Sequence, residues 1–143
     1  MFLVTSVILA AAGSANGASR FVFDQAHPNG WTLLTAAYCL EEAQRNARKV
    51  GPKGPAALST LIMPRLSLVS TELVFNKVLV FPRTKDRPVL LSALGANANH
   101  LLTLDEEDFQ KMLGSHIYGL KINTPGLFLI AQREAGEGRV LKS

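Results

Sequence analysis

The chain has 143 residues, 48% of them hydrophobic and 18% charged. That suits a single globular domain with its own core and excludes a disordered or low-complexity polypeptide. A formal charge of +4 permits a polyanionic partner without requiring one. One cysteine, Cys39, excludes an intrachain disulfide framework and a cysteine-built zinc cluster, and it fits a reducing, cytoplasmic compartment.

The opening run Met1 to Ser19 is apolar and then rich in small residues, but it lacks the basic start of a secretory signal, since the first Lys or Arg is Arg20. It is also too short to span a membrane. Phe2 to Leu9 is aliphatic and β-branched without polar alternation, which predicts a central strand covered on both faces. A short helix is expected over Arg20 to Ala26, ended by His27-Pro28-Asn29-Gly30, then a strand over Trp31 to Thr35 and a helix over Ala37 to Val50. Gly51-Pro52-Lys53-Gly54-Pro55 breaks that helix. Pro55 suits the first turn of the next, Ala56 to about Met63, and Leu66 to Val69 reads as a third strand. Glu72 to Val80 fits either helix or strand. Asp86 to Ala96 reads as a helix with Asn97 as its cap, Leu101 to Thr103 as a strand, and Asp105 to Leu113 as a helix headed by acids. Lys121 to Asn123 is the last expected strand and Leu127 to Gln132 the terminal helix. Residues 1–133 form the expected domain, and 134–143 a flexible, Gly-rich tail.

Strands alternating with helices predict an α/β sandwich around a mostly parallel sheet. In such a sheet Asp86 and Asp105 fall at one end, where α/β proteins hold ligands and metals. Glu42, on the helix Ala37 to Val50, is a third candidate carboxylate. Hard divalent cations take oxygen ligands and keep several waters, so a few convergent carboxylates suffice to hold one. The same two aspartates have a structural reading as caps that favour the helix macrodipole. Neither a P-loop nor a dinucleotide fingerprint is present. His27, His100 and His116 lack metal-ligand spacing, and Cys39 reads as a packed helix residue. Arg45, Arg48, Lys49 and Lys53 make a basic run that is a solvated face by default and suits an RNA backbone if a metal site lies beside it. A nucleotidyltransferase reading of Val7 to Gly13 is disfavoured, because no basic residue follows the glycine closely.

The stretch Lys85 to Phe109, with Tyr118 to Leu129, carries an acid–x–Pro-Val-Leu–x–x–Ala-Leu pattern (Asp86, Pro88 to Leu90, Ala93, Leu94). It continues with Leu102, Thr103, Asp105, Asp108 and Phe109, and then Thr124, Pro125, Phe128 and Leu129. It resembles the C-terminal half of PIN-domain proteins, small nucleases often found as the toxin of a toxin–antitoxin pair. Tyr38 to Asn46 is similar to the helix bearing that family's central glutamate, aligned with Glu42, Glu41 being the near alternative. The resemblance implies a three-layer α/β/α sandwich and an endoribonuclease using Mg²⁺ or Mn²⁺. Glu42, Asp86 and Asp105 would be the ligands and catalytic residues, with Asp108 at the edge of the metal site and Thr103 positioning a carboxylate or water. RNA as substrate, an antitoxin protein and a homodimer are the partners it implies. The departure lies at the start, where Val4 stands in the place of the family's first acid and Ser6 in that of its asparagine. Thr5 and Ser6 would hold waters or a phosphate. A catalytically weakened domain that binds RNA or protein is the alternative implied by that loss.

Overall fold

Phe2 and Leu3 form the whole of β1, a strand of two residues, yet it lies at the centre of the sheet. The computed structural model describes residues 1–69, 100–104, 116–117 and 120–142, with side chains over 1–69, 100–104 and 121–135. Phe2 pairs in parallel with Leu34 of β2 (Leu34–Ala36) on one side and with Leu101 of β4 (His100–Leu102) on the other. β3 (Ser67–Val69) lies outside β2, and β6 (Leu120–Asn123) lies outside β4. Among the described residues the strand order is β3-β2-β1-β4-β6-β5. Five strands are parallel, and β5 (His116–Ile117) closes the edge antiparallel to β6. The protein is therefore an α/β sandwich built on a mostly parallel sheet, in agreement with the three-layer class expected.

The expected strand Phe2 to Leu9 is corrected: after Val4 the chain turns into helix α1, Thr5–Gly13. An apolar run with no alternation fits a buried helix as well as a buried strand, and Ala10-Ala11-Ala12 favours the helix. The helix lies in the core, with Val7, Ile8, Ala11 and Ala12 buried. Its C-terminal carbonyls are met by Arg20, whose Nε donates to the Ala11 carbonyl at 2.6 Å and whose Nη2 donates to that of Ala12 at 3.4 Å. A cation is favoured there by the helix dipole as well.

Helix α2 spans Ala18–Asn29, longer than expected at both ends. It runs through Pro28 into its last turn and stops at Gly30, where φ of 69° needs a residue without a Cβ. Helix α3 covers Ala37–Asn46 and tightens to a 3₁₀ turn over Ala47–Val50. A short α4, Gly54–Ala57, has Pro55 in its first turn and passes into a π turn over Leu58–Ile62 and a 3₁₀ turn over Met63–Arg65. α1 packs against α2, α3, α4 and the π turn, so these segments form one helical layer. That follows from two successive parallel crossovers, β1 to β2 to β3, running the same way across the sheet.

Helix α5 spans Pro125–Lys142, running beyond Gln132 into the residues read from the sequence as a loose tail. Thr124 Oγ1 accepts the Leu127 N–H at 3.2 Å, and Pro125 occupies the first turn, where its missing donor costs nothing. Phe128, 2% exposed, anchors α5 in the core. The expected elements over 72–80, 86–96 and 105–113, and Asn97, lie outside the described residues.

Close packing in the helical layer rests on Gly54. A Cβ there would collide with the Ala47 carbonyl oxygen and sit 2.9 Å from Val50 Cγ2. Gly54→Ala is expected to lower stability by about 1–3 kcal/mol, read as a lower urea midpoint at unchanged slope.

Candidate functional site

β1 and β4 are neighbours whose chain continues in opposite directions, β1 toward β2 and β4 toward β6. The carboxyl ends of these two strands therefore flank the switch point, the place in open α/β sheets where ligands bind. Val4, Thr5 and Ser6 leave β1 there, and Thr103 and Leu104 leave β4.

Side-chain hydroxyls join these strand ends. Ser6 Oγ accepts the Leu104 N–H at 3.2 Å, linking the β1 exit to the β4 exit. Thr5 Oγ1 donates to the Cys39 carbonyl at 3.2 Å, linking the β1 exit to the first turn of α3. Thr35, fully buried on β2, donates its hydroxyl to the Leu3 carbonyl at 3.0 Å. Thr103 is fully buried, and its N–H donates to Asn123 O at 3.0 Å. Thr5 and Ser6 follow β1 and Thr103 follows β4, and Thr5 and Ser6 open a helix instead of continuing a strand.

Glu42 is half-buried on α3, one turn beyond Cys39, while Glu41 is exposed. Residues three apart on a helix share a face, and the Glu42 charge acts on the Cys39 thiol. Burial raises that thiol above its ordinary range. Hydrogen bonds with Thr5, Thr35 and the Ala36 backbone oppose the rise, and Glu42 adds to it. Cys39 is accordingly a protonated, packed thiol, as its helix position suggested.

Val4 is 7% exposed and belongs to the core cluster. It stands at the N-cap of α1 with no side-chain cap bond, and its N–H donates to Leu102 O at 3.2 Å. Asp86, Asp105 and Asp108 lie outside the described residues. Among the described residues no group of three His, Cys, Asp or Glu side chains is placed to hold a metal ion. Glu42 with the hydroxyls of Thr5, Ser6 and Thr103 supplies one anionic ligand, short of what a divalent cation takes.

Arg45, Arg48 and Lys49 are all exposed. Arg45 lies one turn from Glu42, whereas Arg48 and Lys49 follow on the 3₁₀ turn, roughly 10 Å farther along the axis from the strand ends. Only the first of the three is close to the Glu42 turn. His27 is exposed on α2, and His100 opens β4 at the opposite end of the sheet.

Thr35 was missed from the sequence, although a signal for it exists. A leucine, an aliphatic residue and a threonine recur as Leu3-Val4-Thr5, Leu33-Leu34-Thr35 and Leu101-Leu102-Thr103. The register puts Phe2, Leu34 and Leu101 at one level, so Thr35 lies within β2 beside Leu3, Thr103 one residue further along beside Val4, and Thr5 one beyond that in α1.

No protein-family model matches the chain, and neither the curated proteins nor the solved structures contain a match to it.

The raised, buried thiol has a direct consequence. Cys39 is expected to resist iodoacetamide in the folded protein near pH 8 and to react readily once urea unfolds the chain, as followed by mass spectrometry.

Proposed function

We propose that this protein is a PIN-type endoribonuclease, dependent on Mg²⁺ or Mn²⁺ and acting in the cytoplasm as the toxin of a toxin–antitoxin pair. The observation that supports the reading is the position of Thr5, Ser6 and Thr103 just past the two strands that flank the switch point, with Glu42 half-buried on the helix that Thr5 touches. In this reading Glu42, Asp86 and Asp105 would hold the cation, with Asp108 at its edge, and a cation held there would supply an acidified water and offset charge that builds on the phosphate. Thr5 and Ser6, at the N-terminus of α1, orient a phosphate or water through their hydroxyls, and Thr103 holds a carboxylate or water in place. Arg45 meets the RNA backbone, with Arg48 and Lys49 extending the contact outward. An antitoxin segment covering the strand ends and a homodimer complete the assembly.

A second reading is favoured by one observation. The N-cap position that would carry the family's first acid holds a buried valine. This reading is a weakened PIN-like domain that binds RNA or a protein without cutting.

Cleavage of a structured RNA with Mn²⁺ separates the two. For the nuclease, Asp105→Asn and Glu42→Gln are each expected to lower the rate about 100-fold or more. Equal background from wild type and Asp105→Asn would end the nuclease reading, and RNA binding by both proteins with a steep salt dependence would then support the binding module. Val4→Asp adds an acid at a position where Asp is also a preferred cap. It is expected to tighten Mn²⁺ binding, measured by calorimetry, and to raise cleavage above wild type. Unchanged Mn²⁺ binding would count against a cation at these strand ends.

A further inference from the structure

At the end of the sheet away from the switch point, His100 opens β4 beside the aromatic pair that seats α5. Phe128 of α5 meets Trp31 edge to face at 5.0 Å between ring centroids and meets His100 at 5.1 Å in the same manner. Nδ1 of His100 is buried and, among the described residues, has no hydrogen-bond partner. A neutral imidazole tolerates this with its proton on Nε2, because Nδ1 is then only an acceptor left unfilled. A second proton would turn Nδ1 into a buried donor with no acceptor and add a charge among aromatic rings.

The charged groups that bear on His100 among the described residues make this worse. Lys121 is its cross-strand partner on β6, and the Met1 α-ammonium is held at the start of β1 by the Thr32 carbonyl at 2.8 Å. Both are cations. From α5 the facing side chain is Phe128, and the charged Arg133 and Glu134 of its described part are exposed. Burial first, then Lys121, then the terminal ammonium hold the imidazole below its ordinary range. The attraction of an imidazolium for an aromatic ring works the other way, but here it is set against two like charges and a missing acceptor.

We propose that the contact of His100 with Phe128 is an acid-sensitive seat for helix α5, and that a proton taken up at Nδ1 of His100 loosens α5 from the sheet. The helix is suited to local release. Among the described residues it packs on α2 and on β6, and Leu127 and Ile130 of its first two turns are about half exposed. The inference does not depend on the ribonuclease reading.

The linkage has a definite sign. The seated state favours neutral His100, so its stabilisation is full above the free-imidazole value near 6.5. It falls as the pH drops through that value toward the lower seated one, and is flat below both. Amide exchange of the full chain between pH ~7.5 and ~4.5, expressed as protection factors, tests this. Protection of α5 amides is expected to fall about tenfold for each unit by which seated His100 lies below the free value, while amides of α1 hold theirs. Trp31, the single tryptophan, reports from inside the cluster, and its emission is expected to shift to the red over the same window. His100→Gln should remove both transitions. Persistence of the α5 transition in that variant would overturn the proposal, as would a parallel loss of protection in α1 or a gain of protection in α5 on acidification. Should His100→Gln fail to fold, the His100 titration followed by NMR in the wild type decides. Its midpoint must coincide with the α5 transition, and a mismatch overturns the proposal.

Discussion

The fold depends on a central strand too short to hold itself in place. β1 has two residues, and both its neighbours are parallel, so the ladder bonds it can make are few. Two other forces compensate. Phe2 and Leu3 are fully buried, and at about 1.5–3 kcal/mol for each large apolar side chain removed from water they fix the strand in the core. Hydroxyl bonds then set its position along the sheet. Thr35 holds the Leu3 carbonyl, Ser6 holds the Leu104 amide, and Thr5 holds the Cys39 carbonyl. Each is worth on the order of 1 kcal/mol, and together they place the exit of β1, the exit of β4 and the start of α3 in one arrangement. The strand ends that form the candidate site are thus the same points that hold the sheet together.

The two ends of the sheet carry different chemistry. At the carboxyl ends, the hydroxyls of Thr5 and Ser6 tie the exits of β1 and β4 to α3 and to each other beside the switch point. At the amino ends, Trp31, Phe128, His100 and the Met1 ammonium surround the seat of α5. β4 belongs to both, running from His100 to Leu102 and directly into Thr103. That distance is about 10 Å.

Local patterns predicted those parts of the fold that local chemistry decides. The break at Gly51 to Pro55 and the strands near residues 68, 102 and 122 fall where the sequence put them. The second strand, expected over Trp31 to Thr35, is instead Leu34–Ala36, α2 runs past Ala26 to Asn29, and α5 starts at Pro125, two residues before the expected Leu127. The opening run misled because Phe2 to Leu9 has no alternation. Whether such a run extends or coils is decided by what covers it, here a helical layer that makes a strand unnecessary after Leu3. The reach of α5 past Gln132 had a similar cause: Gly136 and Gly138 read as helix breakers, and intrinsic propensity is a weak constraint beside the rest of an established helix. For the site, the residue types were legible at Thr5, Ser6 and Thr103. Thr35 became visible only through the register, which no single strand reveals.

Val4 is where stability and the proposed chemistry oppose each other. At 7% exposure it sits among apolar neighbours, at a cap position where a polar side chain would otherwise be preferred. A carboxylate there would have to be desolvated within reach of the strand ends that Glu42 adjoins, and if Asp86 and Asp105 converge on the same end, four acids would share it. Like charges in a partly buried cluster raise one another's pKa and weaken the fold unless a cation offsets them. With valine at position 4 that requirement falls: the core packs across the exit of β1 whether or not a cation is present. On the ribonuclease reading, valine at this position therefore favours a domain that is stable without metal over one that binds it tightly.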